Sequence, residues 1–488
     1  MLFSSTVFLF AFLPIVLTVA FALPGVRARN AWLLAASLVF YAWGEARYTA
    51  VLLASIALNY GFGLAVDALR GRPAARVVVA AAVAANLAGL GVFKYAGFAA
   101  RTWSEAVAAL GWPSLATGPV DVHLPIGISF FTFQAICYVV DVHRGDARCD
   151  RNPLRVALYV ALFPQLVAGP IVRFRDVAEA LRARAAGFEA RASGAYRFAI
   201  GLGKKALVAD HVGVLADRVF DLPAEHLSAS VAWLGAVAYA LQIYFDFSGY
   251  SDMAIGIGRM LGFRFPENFL HPYASVSVRE FWRRWHVSLS TWFRDYLYIP
   301  LGGSRGSRAA TARNLLVVFA LCGLWHGASF GFLVWGLLHG AFLSLERTAF
   351  GGWLARRPAP VGWVYTAAVV LVGWVVFRAE TLGDALAYLA AMSGVGAAPG
   401  AEPLGLAWLE PQQALALAAG IAGAGPFAAR AAERLAARIA ARAAARGEAP
   451  GALAPLAAAR FAWAAAVLVS SAMAVVAGTH DPFIYFRF

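Results

Sequence analysis

LVVFALCGLWHGASFGFLVWGLLHGAFL, residues 316–343, contains no Asp, Glu, Lys or Arg, and it sets His326 and His339 in an otherwise apolar run. The uncharged stretch extends from Leu315 to Leu345. A helix needs about 20 apolar residues to cross a bilayer, so this length crosses or re-enters one. Further blocks lie elsewhere in the chain. Val7 to Val26 and Val77 to Phe93 are uncharged as well. The 488 residues are 61% apolar and 14% charged, against about half and a quarter for a soluble domain. Counting the blocks predicts an all-α polytopic integral membrane protein of about ten to twelve transmembrane or re-entrant helices.

The charges fit that reading. Arg27 and Arg29 follow the first apolar block and no basic region precedes it, which is not the order of a signal peptide. Under the positive-inside rule the N-terminus lies outside and these arginines lie in the cytoplasm. If 31–44 and 48–66 each cross, Arg70, Arg72 and Arg76 return to the cytoplasm. The net charge of +14 is thus a topology signal, and no nucleic-acid-binding motif accompanies it. Cys137, Cys149 and Cys322 form neither a CxxC pair nor an even framework, so a disulfide scaffold and a metal cluster are both unsupported. Cys322 reads as a small core residue, or as an acyl-carrying thiol four residues before His326.

The whole of 1–488 reads as one membrane domain in three parts: N-terminal spans 1–120, a polar core 121–349, and C-terminal spans 350–488. The last part holds an Ala-Arg helix at about 427–446. It has Arg430, Arg434, Arg438, Arg442 and Arg446 at four-residue spacing, which suits an interfacial helix or a cytoplasmic connector.

Four stretches of the core place costly residues in membrane-grade sequence. In LPIGISFFTFQAICYVVDVHRGD (124–146), Pro125, Gly127 and Gln134 interrupt an otherwise spanning segment. LQIYFDFSGYSDMAIGIGRMLGFRFPENF (241–269) holds Asp246, Ser248, Asp252 and Asn268. Asp246 and Ser248 read either as nucleophile and orienter or as caps inside the bundle. VREFWRRWHVSLSTWFRDYLYIPLGGSR (278–305) is dense in Arg and Trp around His286, and 316–343 holds His326 and His339. An ionisable group at bilayer depth costs at least about 2.5 kcal/mol and usually faces the interior and function. A neutral imidazole there can take a proton from a hydroxyl as it attacks an acyl carbonyl. The alternative for His326 is a packed histidine joining two helices, and His339 reads as structural or as lying near a membrane face. HExxH, GxSxG, Walker and GxGxxG motifs are missing, as is a histidine followed by aspartate four or five positions later. The residues alone leave an intramembrane polar site belonging to an enzyme or to a transporter of a polymer or lipid-linked intermediate.

The ordered set FSSTVFLFAFLP, FYAWGEARY (40–48), FKYAGF (93–98), LPIGISFFTFQ, FPQLVAGPI (163–171), GLGKKALVAD (201–210), YFDFSGYSDMAIG, FPENF, FWRRWHVSLSTWFRDYLYIPLGG, LWHGASFGFLVWG and DPFIYFRF resembles the membrane-bound O-acyltransferase family, in its alginate O-acetylase branch. The resemblance covers almost the whole chain. It implies helices around a central tunnel, through which an acetyl group passes from cytoplasmic acetyl-CoA to a polysaccharide outside, with alginate the first expectation. It places the family's catalytic histidine on His326, a second on His286, and the CoA site around Arg283, Arg284, Asn268 and Trp325, with no metal. It makes Tyr485 in the PFIYFRF tail a candidate acyl relay, against an aromatic anchor at the interface. The implied setting is a bacterial inner membrane. The implied partners are membrane lipids and a periplasmic or anchored SGNH hydrolase-like acetyltransferase, with no nucleic acid.

Overall fold

The computed structural model describes residues 1–223, 226–395, 409–445 and 454–478. Their elements are helical, with no strand among the described residues. Six helices are long and apolar enough to cross a membrane: Thr49–Ala68, Ala74–Ala109, Ala229–Met260, Arg308–His326, Ala359–Arg378 and Ala454–Val476. Three shorter apolar helices accompany them, Phe8–Ala22, Phe330–Leu345 and Leu382–Met392. These stand where the sequence predicts ten to twelve crossings and re-entrant pieces.

Ala229–Met260 is the axis of the bundle. Its apolar window is 78% buried, whereas that of Ala74–Ala109 is 17% buried and that of Ala454–Val476 is 11% buried. The outer two therefore present their apolar side chains, such as Val77 and Trp463, to lipid. The axis lies against Phe188–Gly203 through paired glycines. A Cβ on Gly201 would meet the Gly249 carbonyl oxygen at 2.7 Å, and one on Gly194 would meet that of Gly256 at 2.6 Å. Small residues at such crossings let two backbones touch where lipid supplies no hydrophobic drive between helices.

The axis also buries charge. Asp252 accepts from Lys204 at 2.6 Å and from Arg197 at 2.7 Å, and Asp246 lies 3.1 Å from Lys205, which also holds Asp210 at 2.6 Å. Lys204–Ala209 is a π-helical turn, and this extra residue per turn aims consecutive lysines at two carboxylates of the axis. Asp246 and Ser248 thus lie in mid-helix and do not cap a helix end, as the sequence had suggested.

Two interruptions differ from their sequence reading. Pro125 and Gly127 precede the helix Ile128–Arg144, and that helix then runs unbroken through Gln134. Gly127 takes φ 77° and would place a Cβ 2.6 Å from the Leu166 carbonyl oxygen. Only glycine accepts both conditions. The 316–343 stretch forms two helices. Arg308–His326 starts from Ser307, whose side chain accepts from the Ala310 N–H, and Phe330–Leu345 starts from Ser329, which accepts from Phe332. The two cross where a Cβ on Gly323 would meet the Phe332 carbonyl oxygen and one on Gly336 that of Phe319, each at 2.1 Å. The Ala-Arg helix is present as Phe427–Ala445.

Candidate functional site

His326 is the last residue of its helix, because Gly327 is extended and cannot continue it. Carbonyls at the end of a helix lack intrahelical donors, and here Leu324, Trp325 and His326 find theirs on another helix, after a last ladder bond at Gly323. Gly323 O accepts from Gly327 N–H at 3.3 Å, and Leu324 O from the Tyr95 hydroxyl at 2.7 Å. The Lys94 ammonium donates to Trp325 O and, at 3.1 Å, to His326 O. The imidazole is 6% exposed. It stands edge to face against Trp325, Trp335 and Phe377, at centroid distances of 4.9, 5.1 and 5.3 Å. A cavity of about 150 Å³ reaches it, bounded by Lys94, the 124–130 segment, Val167 and Trp325.

His286 also lies near the Trp325 ring, at a centroid distance of 6.1 Å. It is fully buried and holds φ 42°, ψ 55°, the left-handed region, at the start of the short helix Val287–Phe293. Among the described non-glycine residues only His271 shares a positive φ. Such a backbone costs on the order of 1–3 kcal/mol and needs its surroundings to hold it. Asn268 does this. Its Oδ1 accepts from Ser288 N–H at 3.2 Å, from the Ser288 hydroxyl at 2.9 Å and from His286 Nδ1 at 3.1 Å. Its Nδ2 donates to Ser251 at 3.0 Å, and its carbonyl accepts from Val287 N–H at 2.9 Å. An amide oxygen only accepts, so the proton of neutral His286 sits on Nδ1 and Nε2 keeps its lone pair. Phe130 and Phe133 clamp the Trp325 ring, at 5.5 and 5.6 Å.

A second cavity, of about 470 Å³, lies between the 278–298 segment and the two crossing helices. Arg279, Arg283, Arg294 and Arg347 line it together with apolar residues, and it reaches Cys322, one helical turn before His326. Arg284, one residue and about 100° around the helix from Arg283, does not line this cavity and pairs with Glu280 at 2.5 Å. Asn268 and Trp325 do not line it either. Trp325 belongs to the His326 cavity, and Asn268 to the His286 turn. His339 is 1% exposed and packs on Trp282 and Trp335, at 5.2 and 5.0 Å, which matches a structural role. Tyr485 lies outside the described residues.

Residues 148–377 match the sequence pattern of MBOAT, the membrane-bound O-acyltransferase family. The protein named probable alginate O-acetylase AlgI from Pseudomonas aeruginosa is 47% identical over 399 residues, which is 81% of this chain and 75% of that one. The chain belongs to the membrane-bound O-acyltransferase family. The family extends the likeness to other polymers. A peptidoglycan O-acetyltransferase of Helicobacter pylori is 37% identical over 430 residues, covering 81% of this chain and 80% of its own. A teichoic acid D-alanyltransferase of Bacillus subtilis is 29% identical over 251 residues, covering 48% and 62%. With its apolar helices, this O-acyltransferase is a multi-pass membrane protein.

Sequence reading alone did not single out Lys94, Tyr95, Arg279, Arg294 or Arg347. Lys94 had a usable signal, since it interrupts an apolar run and ends the uncharged 77–93 block. The arginines had none, because basic residues flanking apolar blocks are what topology alone requires.

Proposed function

We propose that this O-acyltransferase moves an acetyl group from cytoplasmic acetyl-CoA to hydroxyls of an extracytoplasmic polysaccharide, with alginate the expected acceptor and His326 the general base. The carrying observation is that His326 ends a helix that meets two cavities, one at His326 itself and one a turn earlier at Cys322. One is lined by arginines and reaches Cys322. The other is bounded by Lys94 and the 124–130 segment. Guanidinium groups suit CoA phosphates, and the apolar remainder suits the acyl arm. The expectation of alginate is supported by the relatives' names, since proteins from three other Pseudomonas species and Azotobacter vinelandii share the name probable alginate O-acetylase at 46–47% identity.

The sides follow from helix lengths. Lys94 lies 20 residues into Ala74–Ala109, roughly 30 Å from the Arg72–Arg76 end, and it touches the far end of the His326 helix. Arg308 starts that helix and Arg347 follows Leu345, where its neighbour ends. Positive-inside orientation then puts the arginine cavity toward the cytoplasm and His326 toward the outer face of the inner membrane. In the reaction, His326 takes the proton of the acceptor hydroxyl as its oxygen attacks the thioester carbonyl. The tetrahedral intermediate expels the CoA sulfur, which receives that proton, and an ester remains. His286, near the Trp325 ring and held by Asn268, is the second histidine of the proposed site. Transfer outside the membrane calls for a partner that grips the polymer, and an SGNH hydrolase-like acetyltransferase is the class proposed.

Purified protein in lipid nanodiscs, given acetyl-CoA, alginate and the partner, is expected to release CoA and acetylate the polymer. Turnover-free binding of a lipid-linked sugar would instead favour transport. For the donor site, Arg283→Gln and Arg347→Gln should each raise the KM for acetyl-CoA roughly tenfold, a charge-assisted hydrogen bond being worth about 1.5–3 kcal/mol. The effect should be larger at low salt, where charges are less screened. Arg284→Gln should do less. Unaltered donor affinity in both variants would leave those arginines as anchors. For orientation, a cysteine at position 72 should resist an impermeant thiol reagent in intact cells and react after lysis. Labelling in intact cells would invert the topology.

A further inference from the structure

We infer that Lys94 is a positioning residue for acyl transfer, fixing the end of the helix that carries His326. This rests on the reading of His326 as the base. Lys94 interrupts a 36-residue helix whose buried residues are Ala75, Ala82, Asn86, Leu90 and Val107. It is partly buried, and its ammonium holds two consecutive carbonyls, those of Trp325 and His326. The next residue, Tyr95, holds the carbonyl before them, at 2.7 Å. Two neighbouring side chains of one helix thus close three open acceptors of another, across 231 residues of sequence.

The C-terminal end of a helix carries partial negative charge, and a cation there is favourable. With Lys94 removed, two carbonyls lose their donor at the wall of a cavity, and the last turn is free to fray. His326 is the residue on that turn. The polypeptide after it cannot compensate, because Gly327 is extended and leads straight into the Ser329 cap of the next helix. The bonds from Gly327 N–H to Gly323 O and from Tyr95 to Leu324 O remain, and neither reaches the last two carbonyls of the helix. The imidazole is seated against three aromatic rings, so a small shift of its backbone alters the angle at which it meets a hydroxyl. A displacement of about 1 Å at a reacting group costs on the order of a hundredfold in rate. The arginine cavity is separate, since Lys94 does not line it. The effect should therefore fall on turnover and leave donor binding alone.

The test uses the full chain in nanodiscs with acetyl-CoA and the complete acceptor system. Lys94→Met is expected to lower kcat about tenfold to a hundredfold with the KM for acetyl-CoA within about twofold. Lys94→Arg should restore much of that loss, because a guanidinium also donates to two carbonyls. Tyr95→Phe, which removes one bond and keeps the ring, should lower kcat in the same direction by a few-fold. In a His326→Ala background, Lys94→Met should cost nothing further, since residues acting through one another are not additive. Wild-type turnover in Lys94→Met beside an inactive His326→Ala overturns the inference and spares the base. An equal Lys94→Met loss in both backgrounds, or a loss tracking only a lower yield of folded protein with Tyr95→Phe normal, also overturns it. Full activity in His326→Ala removes the base assignment and the inference together.

Discussion

His326→Ala is expected to lower acetyl transfer by roughly 10²–10⁴, the usual contribution of a positioned general base, while acetyl-CoA still binds. The imidazole touches aromatic faces and edges, and the helix end is secured by Lys94 and Tyr95 through backbone carbonyls that alanine retains. Folding therefore loses packing and no part of the cap. His326→Gln keeps more of the volume and cannot exchange a proton near neutral pH, so it should be as inactive as alanine and more stable. Initial rates of CoA release, read with the thermal midpoint of each variant in nanodiscs, make the comparison. A His326→Gln protein with near-normal turnover would return this residue to the role of a packed histidine between two helices.

Membrane character was legible because it is a property of composition and block length, which need no knowledge of neighbours. The place of His326 was legible for a similar reason: an imidazole in the otherwise apolar 316–343 run must be held by something. What held it was not. Lys94 and Tyr95 come from the 93–98 segment, and nothing local says that the middle of one apolar helix will pass beside the last turn of another. The same limit explains Arg283 and Arg284. They are adjacent in sequence and indistinguishable by type, and only the packing of Val278–Arg284 decides that one enters a cavity while the other meets Glu280. Asp246 was misread for a further reason. Its partner Lys205 lies on a π-helical turn, and a period of 3.6 cannot anticipate two successive lysines aimed at the same helix. Pro125 and Gly127 were rightly seen as a break, but whether a break falls inside a span or just before it depends on the Leu166 carbonyl that Gly127 approaches.

Asn268→Ala should be the most damaging change outside His326, lowering turnover by about a hundredfold and the thermal midpoint with it. Its amide oxygen takes three hydrogen bonds in a fully buried site, and its Nδ2 supplies a fourth to Ser251. Each donor orphaned in such a place costs about 1–3 kcal/mol. The cost is not the whole effect. His286 holds a left-handed backbone that a β-substituted residue adopts only under constraint, and Asn268 is the constraint on both its backbone neighbour and its ring. Freed from it, the turn relaxes toward a commoner conformation and carries His286 away from the Trp325 ring. Loss of the Nδ1 contact also releases the ring's tautomer, so even an imidazole left in place would present Nε2 with a lone pair only part of the time. Asn268→Asp separates these contributions. A carboxylate accepts the same three donors and preserves the turn, but it gives up the bond to Ser251 and brings charge into an apolar interior, so its stability should fall while the His286 tautomer is retained. Turnover in Asn268→Asp should therefore exceed that of Asn268→Ala at equal folded fraction. If the two variants are equally slow once corrected for folding, the orientation of His286 has no part in transfer and Asn268 serves the fold alone.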